Sequence, residues 1–257
     1  MNFSEFNEFK SKFEFDHAGK PVKYKGHKII EWKECPIHGT YAKRFRVQYS
    51  ENVYDDYDVP NGCLTCLREQ IVQDSIGFKS IPLRYRSKSF DNFEHNTKEQ
   101  ECAYNAAKRF VSDSTNNLRV GRCLILCGGV GTGKTHLACS IANALNSQGC
   151  FAVFTTVSKL IRSVRASWGT KDEQKVIDSF VDVDLLIIDE VGVQAGSDNE
   201  KNILFDVING RYEQMKSTII ISNLNLQGIK EFLGERIVDR LRENGGTLIP
   251  FTGKSYR

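Results

Sequence analysis

Cys123-Leu-Ile-Leu-Cys-Gly-Gly-Val-Gly-Thr-Gly-Lys-Thr-His-Leu-Ala-Cys-Ser-Ile-Ala-Asn-Ala-Leu145 decides the fold. Its first five residues are an apolar run short enough for a buried strand, and its last ten repeat apolar residues at helical spacing. Between them lies GxxxxGKT, the phosphate-loop pattern in the strand-to-helix context that gives it meaning. Gly128, Gly129, Gly131 and Gly133, with Val130 and Thr132 between them, let the backbone wrap a polyphosphate. The following helix offers unpaired N–H groups to the same phosphates. Lys134 is expected to reach the β- and γ-phosphates of ATP, Thr135 to hold Mg²⁺, and His136 to complete the nucleotide-binding stretch.

Working outward, further short apolar runs follow at 151–157 (FAVFTTV), 184–190 (DLLIIDE), 217–223 (STIIISN) and 247–252 (TLIPFT). Helical patterns separate them, at THLACSIANALNSQ, VSKLIRSVRASW, EKNILFDVINGRYEQ and LQGIKEFLGERIVDRLREN, and another, TKEQECAYNAAKRFVSD, precedes the first strand. Near-continuous apolar strands alternating with amphipathic helices predict an α/β fold, a mostly parallel sheet sandwiched by helices. The run LLIIDE ends in Asp189 and Glu190, which places both carboxylates at the carboxyl edge of that sheet, where open α/β folds bind ligands. In this Walker B pattern, Asp189 would hold Mg²⁺ through water and Glu190 would polarise the attacking water. Asn223 ends the next strand and is suited either to position that water or simply to make a turn.

Composition narrows the classes. Across 257 residues, 35 basic side chains face 32 acidic ones, and hydrophobic residues make up 40%, so a polyelectrolyte and a disordered chain are both excluded. The apolar runs, Cys123–Cys127, Leu185–Ile188 and Ile219–Ile221 among them, fall far short of the roughly 20 residues of a membrane span. The opening MNFSEFNEFKSKFEFDHAGK builds no apolar signal core, so a cytoplasmic protein without a membrane partner is expected. Residues 1–70 balance 11 acids against 11 bases and show short alternating patches such as HKIIEW and YAKRFRVQY, as in a small module with strands. Residues 71–90 carry Lys79, Arg84, Arg86 and Lys88 against Asp74 and read as a basic linker, leaving 91–257 for the ATPase domain.

Eight cysteines in such a chain argue against a disulfide scaffold. Cys102, Cys123, Cys127, Cys139 and Cys150 stand singly in apolar or helical surroundings and read as packing residues. Cys35, His38, Cys63 and Cys66 form C-x₂-H…C-x₂-C, two knuckle-like pairs that match a closed tetrahedral zinc site. Such a site would stabilise a module whose own core is small.

Taken in order, GGVGTGKTHLA, VDLLIIDEVGVQ, TIIISNLN, LGERIVDRLR and the terminal KSYR resemble the AAA+ ATPases of the DnaC/DnaI helicase-loader type, with the transposition helper IstB as a close relative. The resemblance covers about half the chain, and SFDNF followed by a helix is similar to that family's approach to the ATPase fold. It implies side-by-side assembly in a ring or spiral, in which an arginine of one subunit completes the ATP site of its neighbour. Arg240 is the favoured finger and Arg236, four residues earlier on the same helix face, the second choice. Arg257 matches the family's sensor-2 arginine, expected to touch phosphate in cis. Arg162, Arg165 and Trp168 combine phosphate-binding charge with an aromatic platform suited to single-stranded DNA; composition alone slightly favours Trp168 in the core, and the resemblance, in which Trp168 matches an aromatic used for single-stranded DNA, favours the DNA role. The zinc pattern is similar to the helicase-binding region of DnaI-type loaders and departs from the all-helical amino-terminal domain of DnaC. By that analogy the module meets a hexameric replicative helicase of the DnaB type. The rival readings are an IstB-like ATPase assisting a transposase, and a nucleotide-gated adaptor that does not hydrolyse ATP.

Overall fold

The computed structural model describes residues 13–15, 21–24, 28–36, 39–50, 53–58, 63, 66, 70, 81–148, 150–168, 173–193, 197–253 and 255. The chain divides into two compact units, one of Met1–Ser75 with Ser147–Phe151, the other of Ile76–Asn146 with Ala152–Arg257.

In the first unit, strands β1 (Phe13–Phe15) and β2 (Pro21–Tyr24) form an antiparallel pair, and β3 (Lys28–Cys35), β4 (Gly39–Ser50) and β5 (Val53–Asp58) form an antiparallel sheet in that order. The β4–β5 register sets Arg44 opposite Asp58 and Arg46 opposite Asp56, two residues apart and so on one face. Both pairs are charge-assisted hydrogen bonds, 2.8 Å from Arg44 Nε to Asp58 and 2.7 Å from Arg46 Nε to Asp56. Those guanidinium donors hold both carboxyls below the usual aspartate range.

The second unit has five strands, β6 (Leu124–Gly128), β7 (Ala152–Thr156), β8 (Leu185–Val191), β9 (Ser217–Ser222) and β10 (Thr247–Phe251), all parallel in the order β10-β6-β9-β8-β7. Leu185–Ile188 and Ile219–Ile221 are essentially inaccessible, as strands covered on both faces must be. Helices α1 (Lys98–Ser112), α2 (Ser114–Arg119), α3 (Lys134–Ser147), α4 (Val157–Ala166), α5 (Glu173–Val181), α6 (Asp198–Glu213), α7 (Leu226–Leu233) and α8 (Glu235–Arg242) complete it. Thr97 and Ser197 start α1 and α6 with reciprocal capping boxes closed by Gln100 and Glu200. No helix among the described residues is long and apolar enough to cross a membrane.

Three expectations change here. The pattern LQGIKEFLGERIVDRLREN is two helices, because Gly234 takes φ 87°, outside the helical region, and divides α7 from α8. Residues 81–90, read as the end of a linker, belong to the ATPase unit: Ile81 is buried, and Asn143 Nδ2 on α3 donates to the carbonyls of Tyr85, Arg86 and Lys88. Cys102 is exposed, whereas Cys123, Cys127 and Cys139 are buried as packing residues, with burial pushing the Cys139 thiol up to about 12.

Arg211 is fully buried on α6. Its guanidinium donates to the carbonyls of Phe180, Val181 and Val183 at 2.8–2.9 Å, to Ser217 O, and to Thr218 Oγ1 at 2.9 Å. One side chain thus ties the end of α5 and the approach to β8 to the start of β9, supplying donors to buried main-chain acceptors.

Candidate nucleotide site

Sheet order creates the site. β9 lies between β6 and β8, so the phosphate loop, Asn223 and the Asp189–Glu190 pair leave three adjacent strands at their carboxyl ends. Ser222, the residue before Asn223, is in register with Cys127 on one side and Val191 on the other. Asn223 itself is exposed.

The loop glycines have steric reasons to be glycine. Gly128 takes φ 129°, and a Cβ there would sit 2.1 Å from the Phe251 carbonyl oxygen. Gly133 takes φ 97°, and its Cβ would press to 2.9 Å on the Phe93 ring. Lys134 is buried, its ammonium donating to the carbonyls of Gly128 (2.8 Å) and Gly129 (2.5 Å), and burial pushes its pKa down. Val130 is exposed at the loop's tip, and Thr132 closes the turn by donating to Gly129 O at 2.8 Å.

Thr135 Oγ1 donates to Asp189 Oδ2 at 2.9 Å across 54 residues of sequence. A hydroxyl and a carboxylate side by side are the hard oxygen donors that Mg²⁺ prefers, so these two residues fit the ion they were expected to hold. Burial raises the Asp189 pKa, helped by the nearby Glu190 carboxylate and opposed by the Glu190 N–H and the Thr135 hydroxyl. Glu190 is exposed, with its backbone at φ 62°.

His136 Nε2 is shared between Ser89 O (3.2 Å) and Asn92 Oδ1 (2.8 Å), and its ring meets Phe93 edge-on at 5.2 Å. The imidazole thus fastens segment 89–93 beside the phosphate loop. Sequence reading missed this strap and its second clasp, Asn143, because both grip main-chain carbonyls, which any residue supplies.

On α8, Ile237, Val238 and Leu241 are buried, Arg236 is exposed, and Arg240 is half-buried, stacked on Tyr212 at 5.0 Å and donating to Asn209 Oδ1. On α4 the apolar stripe Val157, Leu160, Ile161 and Val164 turns inward, leaving Arg162 and Arg165 exposed. Trp168 is 45% exposed, which removes it from the core. Arg165 pairs with Glu200 at 3.1 Å and lies over the Trp168 ring at 5.6 Å. Arg257 lies outside the described residues, and nothing here bears on its sensor role.

In the first unit, the sulfurs of Cys35, Cys63 and Cys66 all lie within 4.8 Å of one another, with Cys35 and Cys66 at 3.6 Å. Tetrahedral zinc with Zn–S near 2.3 Å sets its sulfurs about 3.8 Å apart, so the triad fits that ion. The Cys66 N–H donates to Cys63 Sγ at 3.3 Å, the turn expected of a knuckle. Burial raises both Cys63 and Cys66 thiols, and neighbouring sulfur adds to it, so thiolates here call for a cation. His38, the expected fourth ligand, lies outside the described residues.

Residues 79–257 match the family model described as IstB-like ATP binding protein. Among curated relatives, the replicative helicase loader DnaC of Buchnera aphidicola subsp. Acyrthosiphon pisum is 34% identical over 189 residues, 72% of this chain and 76% of its own. DnaC of Escherichia coli K12 is 32% identical over 193 residues, 74% of this chain and 77% of its own. The crystal structure of the DnaC helicase loader aligns with TM-score 0.61 at 25% identity, over 66% of this chain and all of that one. The structure of DnaI aligns at 0.59 and shares the fold. With a phosphate loop, a Walker B pair and a β9 strand set between them, the chain belongs to the IstB-like ATP-binding family, as a P-loop α/β protein of the AAA+ type related to the DnaC replicative helicase loaders.

Proposed function

We propose that this protein is an ATP-dependent helicase loader. It would hydrolyse ATP to ADP and phosphate, bind a hexameric replicative helicase of the DnaB type, and deliver it to single-stranded DNA when replication starts. The observation that carries the chemistry is the Thr135–Asp189 hydrogen bond, which joins the two phosphate-site motifs at one point. Thr135 and Asp189 would hold Mg²⁺, which when bound neutralises phosphate charge. Lys134 would leave the loop carbonyls for the β- and γ-phosphates, Glu190 would orient water, and Asn223 would stand beside the γ-phosphate. Arg240 is the proposed finger toward a neighbouring subunit in a ring or spiral, with Arg236 the alternative, and Arg257 the cis contact.

We assign helicase binding to residues 1–70, held by zinc on Cys35, His38, Cys63 and Cys66. Single-stranded DNA falls to Arg162, Arg165 and Trp168, where the exposed indole supports stacking on an unpaired base. The test is co-purification of the full chain with a replicative helicase, with and without ATP. Retention of the helicase in one nucleotide state supports loading. Absence of retention in every state, with a transposase retained instead, would establish the IstB-like alternative that the family model's name favours.

A further inference from the structure

Several arginines spend their charge. Arg44 and Arg46 face aspartates, Arg165 faces Glu200, and Arg211 is sunk among carbonyls. Arg240 differs. It forms no ion pair among the described residues, although Glu235, Asp239 and Glu243 line the same open surface. Its partners are neutral: the amide oxygen of Asn209, the face of Tyr212 at 5.0 Å and that of Phe205 at 6.0 Å.

The nearby carboxylates are used one step back. Glu213 Oε1 accepts from Asn209 Nδ2 at 2.8 Å, which turns the amide so that its oxygen faces Arg240. Glu243 Oε2 accepts from the Tyr212 hydroxyl at 2.7 Å, which fixes the ring. A guanidinium with three methylene links carries much rotamer entropy, and a carboxylate could fix it only by cancelling its charge. An amide and a ring face fix it while leaving the positive charge whole.

We infer that Asn209 and Tyr212, oriented by Glu213 and Glu243, are positioning residues that present Arg240 to a neighbouring subunit's nucleotide as an uncancelled charge. This rests on the reading of Arg240 as the trans-acting finger. Asn209→Asp, made together with Glu213→Gln so that the new carboxylate meets an amide donor in place of a second carboxylate, is the informative variant, since it preserves size and the contact to residue 213 while supplying Arg240 with the missing counter-charge. We expect the full-length variant to unfold at or above the wild-type temperature, to bind a fluorescent ATP analogue with unchanged affinity, and to lose about 10-fold in the kcat of the assembled protein, with KM little changed. Tyr212→Phe keeps the ring and should stay within about 2-fold, whereas Tyr212→Leu should lose more.

Arg240→Ala separates the two levels. Unchanged turnover in Arg240→Ala overturns the finger assignment and the cradle with it. Lost turnover in Arg240→Ala with normal turnover in the Asn209→Asp, Glu213→Gln double variant overturns the cradle alone. A merely structural tie between α6 and α8 predicts that turnover follows thermal stability, which the double variant is chosen to uncouple.

Discussion

The antiparallel sheet of β3–β5 wears its charges across an exposed face, while the parallel sheet of β6–β10 gathers its ionisable groups at one edge and keeps its strands apolar. In the first, Arg44–Asp58 and Arg46–Asp56 repeat at the two-residue period of a strand and remain open to water. In the second, Lys134, Thr135 and Asp189 converge from α3 and β8 onto a point that the buried strands hold in place. Exposed pairs contribute little because solvent screens them, so the small unit needs another source of stability, which the zinc proposed for Cys35, Cys63 and Cys66 would supply. The large unit has a core and can hold strained or desolvated groups without a metal.

The comparison breaks most visibly if zinc is withdrawn. Treating the full chain with a strong chelator, or making Cys63→Ser, should release metal and cost the first unit about 10 kcal/mol of metal-linked folding energy. Limited proteolysis should then cut within residues 28–58 while ATP binding persists; a chelated protein that resists cleavage there would mean that the unit stands on its own core. The large unit has its own single point of failure. Arg211→Met should destabilise it by about 3–5 kcal/mol in a urea titration, because the buried carbonyls of Phe180, Val181, Val183 and Ser217 all lose the guanidinium donor. The smallest effect belongs to the exposed ladder: Arg46→Ala should move the thermal midpoint by less than about 1 °C, and a larger shift would show that the face is covered in solution.

The features legible in the sequence were those in which side-chain character repeats with the backbone. The apolar runs in the large unit became strands within a residue or two of their expected limits, since a strand buried on both faces tolerates little else. The phosphate loop and Asp189 came together because their chemistry is local and their strands are neighbours but one. What escaped depends on main chain or on distance. Helix α5 at Glu173–Val181 was not anticipated, and the break at Gly234 lay inside an unbroken helical pattern. Residues 81–90 read as the end of a linker because they are basic, while their anchorage lies in carbonyls held by Asn143 and His136. Arg240 was legible as an arginine on a helix face, but not its neutral surroundings, which come from α6, 28 or more residues earlier.

Glu190 gives the site a thermodynamic signature of its own. A glutamate at φ 62° sits in a region that disfavours a side chain, at a cost of about 1–2 kcal/mol relative to glycine. Fitness of the fold and fitness of the site therefore pull in opposite directions at this residue: the sequence that would relax the turn is the one that would remove its carboxylate. Glu190→Gly would relax the backbone and gain heat resistance, and would remove the carboxylate proposed above to orient the water.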